Sequence, residues 1–432
     1  MKKKSVSIIT LGCPKNLVDS EKLTRQIAEG GYEVVHDPEN LNSNIVIVNT
    51  CGFINDACEE SIDTILNAVN ASKSGKIQRL YVVGCLPQRY MNVLKSEIPE
   101  VTRYFGADST GKILNELGVQ YSKELKLDRE LTGPGHFAYL KISEGCDRTC
   151  SFCAIPLIKG KYVSRSMDEI IEEGRILAEK GVRELILVAQ DLSYYGLDIY
   201  KKQKLADLTQ ELLKIDSLEW IRLHYLYPSG FPTKLLQLIK DNSRICKYID
   251  IPIQHISDRL LRLMRRSHNR AETEELLFRI REQLPDAAIR TTIIAGHPGE
   301  TEKEFRELCD FIADFRFDRL GVFAYSHEEG TYSFQNYTNG ISARKKRERV
   351  SELMEIQQSI SAEKNRGFEG KTLKTIIDRR EGNYFIGRSE YDSPEIDQEI
   401  LIEAGNSLIP GRFYDIRITG SSEYDLFGQP LL

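Results

Sequence analysis

Almost continuously apolar runs alternate with helical periodicity from the start of the chain. Ser5 to Leu11 (SVSIITL), Ile45 to Asn49 (IVIVN) and Leu80 to Val83 (LYVV) read as strands buried on both faces of a parallel sheet. Between the first two, Pro14 opens a helix, Leu23 and Ile27 fall four apart on one face, and Gly30-Gly31 closes it. The alternation resumes with candidate strands Phe137 to Ser143, Glu184 to Gln190, Trp220 to Leu226, Tyr248 to Ile253, Ile289 to Ala295 and Arg319 to Tyr325. Six such βα units make a partial barrel, short of the eight of a closed one. A charged helix, Arg344 to Lys364, ends this segment with Val350, Leu353, Ile356 and Ile360 as its apolar stripe. Its basic start, Arg344-Lys345-Lys346-Arg347, reads as a solvated face, with RNA contact as the alternative. Beyond it, Leu373 to Asp378, Tyr384 to Arg388, Glu399 to Glu403 and Phe413 to Ile418 are short runs broken by Gly and Pro, the spacing of a small antiparallel barrel. The fold class is therefore α/β multidomain: an open parallel α/β sheet over 1–131, a partial (βα) TIM-like barrel over 132–363 and a small antiparallel β-barrel over 364–432.

Composition narrows this picture. A chain of 432 residues, 41% hydrophobic and 28% charged, reads as globular and is too long for one ordinary core. No apolar run approaches the roughly 20 residues of a membrane helix. The opening MKKKSVSIITLGC pairs a basic end with an apolar stretch too short for a leader, and no small-residue cleavage site follows. Nine cysteines in a cytoplasmic-looking chain argue for metal or redox use over a disulfide framework. The net charge of −5 leaves no global nucleic-acid footprint. From Arg366 onward, 8 Lys and Arg face 12 Asp and Glu, a local excess of four negative charges.

The cysteines carry the chemistry. Cys146, Cys150 and Cys153 form a CxxxCxxC triplet with Phe152 before the last. Zinc sites close with four ligands in paired spacing, and no fourth Cys or His stands near in sequence. A cubane iron–sulfur cluster held by three thiolates fits better, and its fourth iron stays open to a small molecule. The triplet follows the first barrel strand, which places it at the carboxyl-terminal mouth. Cys13, Cys51 and Cys85 each lie just beyond an N-terminal strand, and in an open α/β sheet those ends line one edge where ligands bind. The turns and helix starts that follow them offer backbone N–H groups to an anionic cluster. Cys58 and Cys309 read as helix-face core thiols and Cys246 as incidental.

Spacing and open site resemble the radical S-adenosylmethionine (SAM) enzymes. That resemblance implies that the open iron chelates SAM and that one electron cleaves it to a 5′-deoxyadenosyl radical. The whole chain resembles the radical SAM methylthiotransferase family, on LGCPKNLVDSE (Leu11 to Glu21), NTCGFI (Asn49 to Ile54), GCLPQR (Gly84 to Arg89), EGCDRTCSFCAIP (Glu144 to Pro156) and RSEYDSPEIDQE (Arg388 to Glu399). The resemblance implies two 4Fe-4S clusters, one on Cys13, Cys51 and Cys85 and one on Cys146, Cys150 and Cys153. It implies two roles for SAM, methylation of a sulfur at the first cluster and radical generation at the second, and a TRAM-like C-terminal barrel. PEID, Pro394 to Asp397, is the sign of the branch that modifies an aspartate β-carbon in the twelfth protein of the small ribosomal subunit; the tRNA-modifying branch carries GCQMN where this chain has Gly12-Cys13-Pro14-Lys15-Asn16. His297 departs from the pattern, which expects Phe there.

Weaker candidates surround the mouth. Gln190, Asp191, Arg290, Thr291 and Thr292 sit where SAM would be touched, though strand-end polar residues also serve as caps and turn formers. Gly296 and Gly299 suit a tight turn against the cofactor, and His255 is a pocket or a structural histidine. Three functions compete: a ribosomal-protein methylthiotransferase, a tRNA adenosine methylthiotransferase, and a non-catalytic iron–sulfur scaffold. An acidic C-terminal barrel, densest at Glu390, Asp392, Glu395, Asp397 and Glu399, favours a basic protein partner over tRNA. The electron donor and sulfur donor stay unidentified.

Overall fold

The computed structural model describes residues 4–405 and 407–431. The basic end at residues 1–3, part of the leader argument above, lies outside them. The chain distributes into two compact units. One takes the chain up to Gly133 together with Tyr139–Arg148 and Cys153–Ile176; the other takes Pro134–Ala138, Thr149–Phe152 and everything from Leu177.

In the first unit, five parallel strands run in the spatial order Glu33–His36, Ser5–Thr10, Ile45–Thr50, Arg79–Gly84, Arg103–Tyr104. Alternate residues pack on opposite faces because side chains in a strand reverse every residue. Val6, Ile8, Ile45, Ile47, Tyr81 and Val83 meet Leu23 and Ile27 of the helix Pro14–Glu29. Val46, Val48, Leu80 and Val82 meet Ile65, Ala68 and Val69 of the helix Asn55–Lys73. The two outermost strands were not anticipated. Glu33–His36 is an edge strand with alternate exposure, and Arg103–Tyr104 has only two residues, so neither gives an apolar run. The order reverses direction between Ser5–Thr10 and Ile45–Thr50, and in such sheets ligands bind in the crevice outside the carboxyl ends at that switch point.

The second unit carries the remaining parallel strands, apart from Tyr139 onward of the strand Phe137–Lys141. The six predicted strands are present, five with shorter ends and one starting a residue earlier, but they form two triplets: Trp220–Leu223, Glu184–Val188 and Phe137–Lys141 in one, Tyr248–Asp250, Ala288–Ala295 and Arg319–Ala324 in the other. A single parallel bridge, Ile221 with Ile245, and the bond from Leu226 N–H to the Asp250 carbonyl (2.8 Å) join them. The seam has a local cause. Tyr225 takes a left-handed φ of 62°, and its N–H is captured by the Asp250 carboxylate at 2.9 Å in place of a ladder bond.

The long helix runs Ala343–Arg366, capped by Ser342, whose Oγ accepts from Lys345 N–H at 3.2 Å. Its buried face is Lys346, Arg349, Leu353, Gln357 and Ile360, turned from the expected stripe, and Val350 and Ile356 are only half-buried. Lys346 is correspondingly no part of a solvated basic face: its ammonium donates to Tyr325 O (3.0 Å) and Asn339 Oδ1 (2.8 Å). Five strands then close a barrel in the order Thr372–Glu381, Tyr384–Ser389, Ile400–Glu403, Leu426–Pro430, Phe413–Ser421. Leu426–Pro430 was missed because Pro430 argues against a strand; it sits at the end of the ladder, opposite Ile416. Register shifts at Ile377/Arg379 and Ile418/Gly420 supply the curvature.

Charge inside this unit holds barrel to strands. Glu184, fully buried, accepts from Arg222 (2.7 Å) and Arg388 (2.8 Å), and Arg388 also reaches Asp378 at 2.6 Å, which pairs with His136 at 2.8 Å. Burial works against the Glu184 carboxylate, but the two guanidiniums outweigh it and hold its pKa below the usual value. A carboxylate depressed by folding contributes stability above its unfolded pKa and loses it as pH falls through the folded one. Glu184→Gln leaves buried Arg222 without its carboxylate and Arg388 with Asp378 alone, so urea denaturation at pH 7 should show a loss of about 3–5 kcal/mol. The gap between variant and parent should narrow as pH drops below about 4.

Candidate functional site

The three N-terminal cysteines converge. Cys13 is the residue before the helix Pro14–Glu29, Cys51 follows Ile45–Thr50 directly, and Cys85 is the first residue of the helix Cys85–Glu97. Their closeness shows in the intervening glycine: at Gly12, φ 92°, a Cβ would lie 2.7 Å from Cys51 Cβ and 3.1 Å from its Sγ. Only glycine fits such a backbone. The strand ends are tied by buried polar side chains that sequence reasoning passed over, although they stand inside the quoted motifs. Asn16 donates to the carbonyls of Leu11 (3.0 Å) and Thr50 (3.2 Å), and Asn49 donates to Asn16 O (3.1 Å) and Ser20 Oγ (2.9 Å). Ser61 Oγ accepts from Cys51 N–H at 3.1 Å and donates to Cys51 O at 2.9 Å, fixing that peptide from both sides.

Electrostatics identify what the triad lacks. Burial pushes the Cys51 thiol up, partly offset by the N–H groups of Phe53 and Gly52. Burial pushes Cys85 up to about 12; the Lys159 ammonium eases this, while the nearby Cys13 and Cys51 oppose ionisation. Buried thiols of this kind become thiolates together only against a strong positive charge, which the irons of a cluster would supply. Among the described residues no three His, Cys, Asp or Glu side chains gather closely enough to hold a single metal ion. A cubane spreads its thiolates over separate irons, so this bears on zinc-type sites and leaves the fit to a cluster intact.

In the same unit, Cys146 N–H donates to Gly160 O at 3.1 Å, and Arg148 N–H reaches Cys146 Sγ at 3.4 Å. Gly145, φ 76°, is pressed so close to Lys161 that a Cβ would lie 2.0 Å from its carbonyl. Cys153 precedes buried Ala154, which packs against Cys85 and Ile158. The second triplet therefore reaches the first triad through one residue. Lys159, on the short helix Ile155–Lys159, stands beside Cys85 and pairs with Asp19 (3.6 Å) and Glu144 (3.5 Å).

Cys150 belongs to the second unit, where Tyr227 Oη (3.9 Å) and Arg266 Nη1 (3.6 Å) approach its sulfur. Fully buried Ser151 is bolted down: its N–H donates to Met264 O (2.9 Å), its carbonyl accepts from Ser333 N–H (2.7 Å), and its hydroxyl lies 2.8 Å from Ser333 Oγ and 3.3 Å from His297 Nε2. His297, where Phe was expected, thus secures the cysteine loop. Its Nδ1–H donates to Pro298 O at 3.0 Å, so Nε2 is left as an acceptor for Ser151 Oγ, which in turn accepts from Ser333 Oγ. Burial lowers its pKa to about 4.

The weaker candidates separate. Asp191 caps the turn Leu192–Tyr194 by accepting from Ser193 N–H at 2.9 Å, and Gln190 stands half-buried beside it. Arg290 is paired with Asp250 (3.1 Å) and Asp397 (3.5 Å). Thr291 Oγ1 donates to Ile251 O at 2.9 Å, whereas Thr292, on the alternate face with Arg290, is half-exposed near Gly321. Gly296, φ 82°, gives its N–H to Glu300 at 2.5 Å and abuts Lys346; Gly299, φ 86°, completes the turn. His255 is structural: its Nδ1 accepts from Ile256 and Ser257 N–H, and its Nε2 faces Glu300 at 3.2 Å. Cys309 is buried and Cys58 partly buried against helix cores, while Cys246 is no incidental thiol but fully packed with Trp220, Tyr248, Ala288 and Ile376.

The expected acidic docking patch also requires correction. Asp392 is fully buried against Arg319 (3.1 Å), and Asp397 accepts from Tyr248 Oη at 2.7 Å. Glu390 accepts from Lys247 N–H at 3.2 Å, and Glu399 pairs with Arg379 at 2.8 Å. Of these five carboxylates only Glu395 is exposed. The partners Arg290 and Arg319 lie far off in sequence, which is why local charge density misled.

Three family profiles match in series: one described as Uncharacterized protein family UPF0004 at residues 5–106, Radical SAM superfamily at 140–312 and TRAM domain at 370–431. Proteins named "Ribosomal protein uS12 methylthiotransferase RimO" align over nearly the whole length: 50% identity with that of Parabacteroides distasonis, covering 100% of both chains, and 51% with that of Porphyromonas gingivalis, covering 99% of both. The chain belongs to the RimO family. Among solved structures, the radical SAM methyltransferase TsrM from Kitasatospora setae matches at TM-score 0.53 and 16% identity over 74% of this chain and 75% of that one. The cobalamin-dependent SAM radical enzyme OxsB matches at TM-score 0.54 and 10% identity over 82% and 56%. At these identities the likeness is one of fold.

A histidine whose folded pKa lies below its unfolded value costs stability wherever the unfolded chain takes up a proton and the folded one does not. For His297 that window runs from about pH 6.5 down to about 4. His297→Phe should therefore remove a pH-dependent loss on the order of 3 kcal/mol, read as a flatter melting temperature between pH 7 and about 4.

Proposed function

We propose that this chain is a radical SAM methylthiotransferase that adds a methylthio group to the β-carbon of an aspartate in ribosomal protein uS12, working in the cytoplasm with two 4Fe-4S clusters. The names of its RimO relatives support the reaction and substrate. The observation that carries the two-cluster reading is the packing of Ala154, next to Cys153, on Cys85.

The aspartate β-carbon has no usable acidity, so acid–base side chains alone leave it inert. When bound, the clusters and SAM supply a hydrogen-abstracting radical and a methylated sulfur. The protein's part is ligation, orientation and exclusion of water. Cys13, Cys51 and Cys85 hold one cluster, with Gly52 and Phe53 N–H groups and the Lys159 ammonium offsetting negative charge. Cys146, Cys150 and Cys153 hold the other. The bonds at Ser151 and Gly160 keep this loop from moving when its cysteines are loaded.

For SAM, Gln190, two residues beyond Glu184–Val188, and Thr292, within Ala288–Ala295, are partly exposed and are the contacts favoured here. Arg290 is held by two carboxylates and orients the strand, and Gly296 shapes the turn against Lys346. The inward-turned Asp392 and Asp397 remove the docking patch as an argument for the substrate, which rests on the relatives.

Anaerobically reconstituted protein, given SAM, reductant, sulfide and uS12, should release 5′-deoxyadenosine and leave the methylthio mass gain on one aspartate of uS12. Cys150→Ala should abolish both products. Modification of tRNA with uS12 untouched would replace the substrate, and absence of 5′-deoxyadenosine would reduce the protein to a scaffold.

A further inference from the structure

The turn after the helix Asp258–Leu263 meets the cysteine loop twice. Met264 O accepts from Ser151 N–H at 2.9 Å, and two residues on, Arg266 reaches Cys150 Sγ at 3.6 Å. The direction is built in. Arg265 takes a left-handed φ of 54°, rare for a side chain of its size, and this reverses the chain so that Arg266 points back at the loop.

The Arg266 guanidinium is then locked by neutral partners. It stacks over the Tyr227 ring with 4.1 Å to the centroid, donates from Nη2 to Pro252 O (2.5 Å), and sets Nε against His268 Nε2 at 3.2 Å. His268 is itself buried and held by Thr273 Oγ1 at 2.9 Å. Among the described residues Arg266 enters no carboxylate ion pair, although this chain pairs most of its half-buried arginines. Its positive charge faces a sulfur instead, and the Tyr227 hydroxyl lies 3.9 Å from that same atom.

We propose that Arg266, supported by Tyr227, is a positioning residue that raises the reduction potential of the cluster ligated by Cys150. The inference rests on Cys150 being a cluster ligand. A cation and N–H donor beside a ligating thiolate stabilise the state carrying the extra electron, and donors to cluster sulfurs are among the determinants of cluster potential. Arg266 would also hold the Cys150 side chain in one direction while the sulfur is in use. Neither duty requires contact with SAM or with the substrate.

The experiment is an EPR-monitored reductive titration of the anaerobically reconstituted full-length chain with dithionite. It is carried out in a Cys13→Ala, Cys51→Ala, Cys85→Ala background so that one cluster is observed. Arg266→Gln should keep the iron of its parent but lower the reduced-to-oxidised ratio at a fixed potential about tenfold, equivalent to about 59 mV for a one-electron couple. Arg266→Lys, which keeps the charge, should recover most of that ratio. Tyr227→Phe, which removes only a hydroxyl, should shift it in the same direction by less.

A potential unchanged in both Arg266→Gln and Tyr227→Phe, with iron retained, would overturn the proposal. Loss of iron in Arg266→Gln with an unshifted Tyr227→Phe would likewise overturn it, by making Arg266 a structural clamp alone. Retention of the cluster in Cys150→Ala would instead refute the underlying ligand assignment, so the two failures are told apart.

Discussion

Thiols crowded at buried strand ends are the constraint around which this protein is organised. Cys51 and Cys85 lose hydration on burial, and each has another cysteine of the triad close enough to raise the cost of its ionisation further. Such a group is stable as thiols, or as thiolates around a polycationic centre, with little between. The surroundings offset part of the cost of the second state. Main-chain N–H groups point at Cys51, the Lys159 ammonium stands near Cys85, and the Asn16–Asn49–Ser61 bonds hold the strand ends in register around them.

The same chemistry recurs around Cys150 with different means. There a guanidinium and a phenol approach the sulfur directly, and Ser151 is fixed by Met264, Ser333 and His297. His297 serves as an acceptor only because burial keeps it neutral over the range in which an exposed histidine would charge. In the C-terminal segment charge does another job. Asp378, Asp392 and Asp397 turn inward to arginines, and Glu184 on its strand reaches Arg388, so part of the acidic excess of that segment builds an internal joint between barrel and strands. Buried pairs of this kind are hard to break singly and leave little charge for a partner.

The alternation of strand and helix and the six central strands could be read from periodicity, because buried parallel strands are written as continuous apolar runs, and the closing β-barrel from short runs broken by Gly and Pro. Six cysteines stood out because each follows a strand end or sits in a tight triplet. What escaped were relations between distant residues. Arg266 lies 116 positions from Cys150 inside a run, Arg265-Arg266-Ser267-His268, that reads as surface. Asp392 and Asp397 looked like a patch because their arginines stand on strands elsewhere in the chain. The seam at Tyr225 depends on a left-handed backbone at a tyrosine, for which no composition signal exists. Leu426–Pro430 is a strand by virtue of its place at the barrel's closure, against its own proline.

The central claim is that two cysteine triads each hold a separate cluster in one chain. Iron quantification with Mössbauer spectroscopy on anaerobically reconstituted protein tests it most directly, comparing the parent with Cys13→Ala, Cys51→Ala, Cys85→Ala and with Cys146→Ala, Cys150→Ala, Cys153→Ala. Each triple variant should keep half the parent's iron as one intact cluster species, and the pair together should account for the whole parent spectrum. Full iron in either variant, or loss of all iron in one of them, would contradict the account.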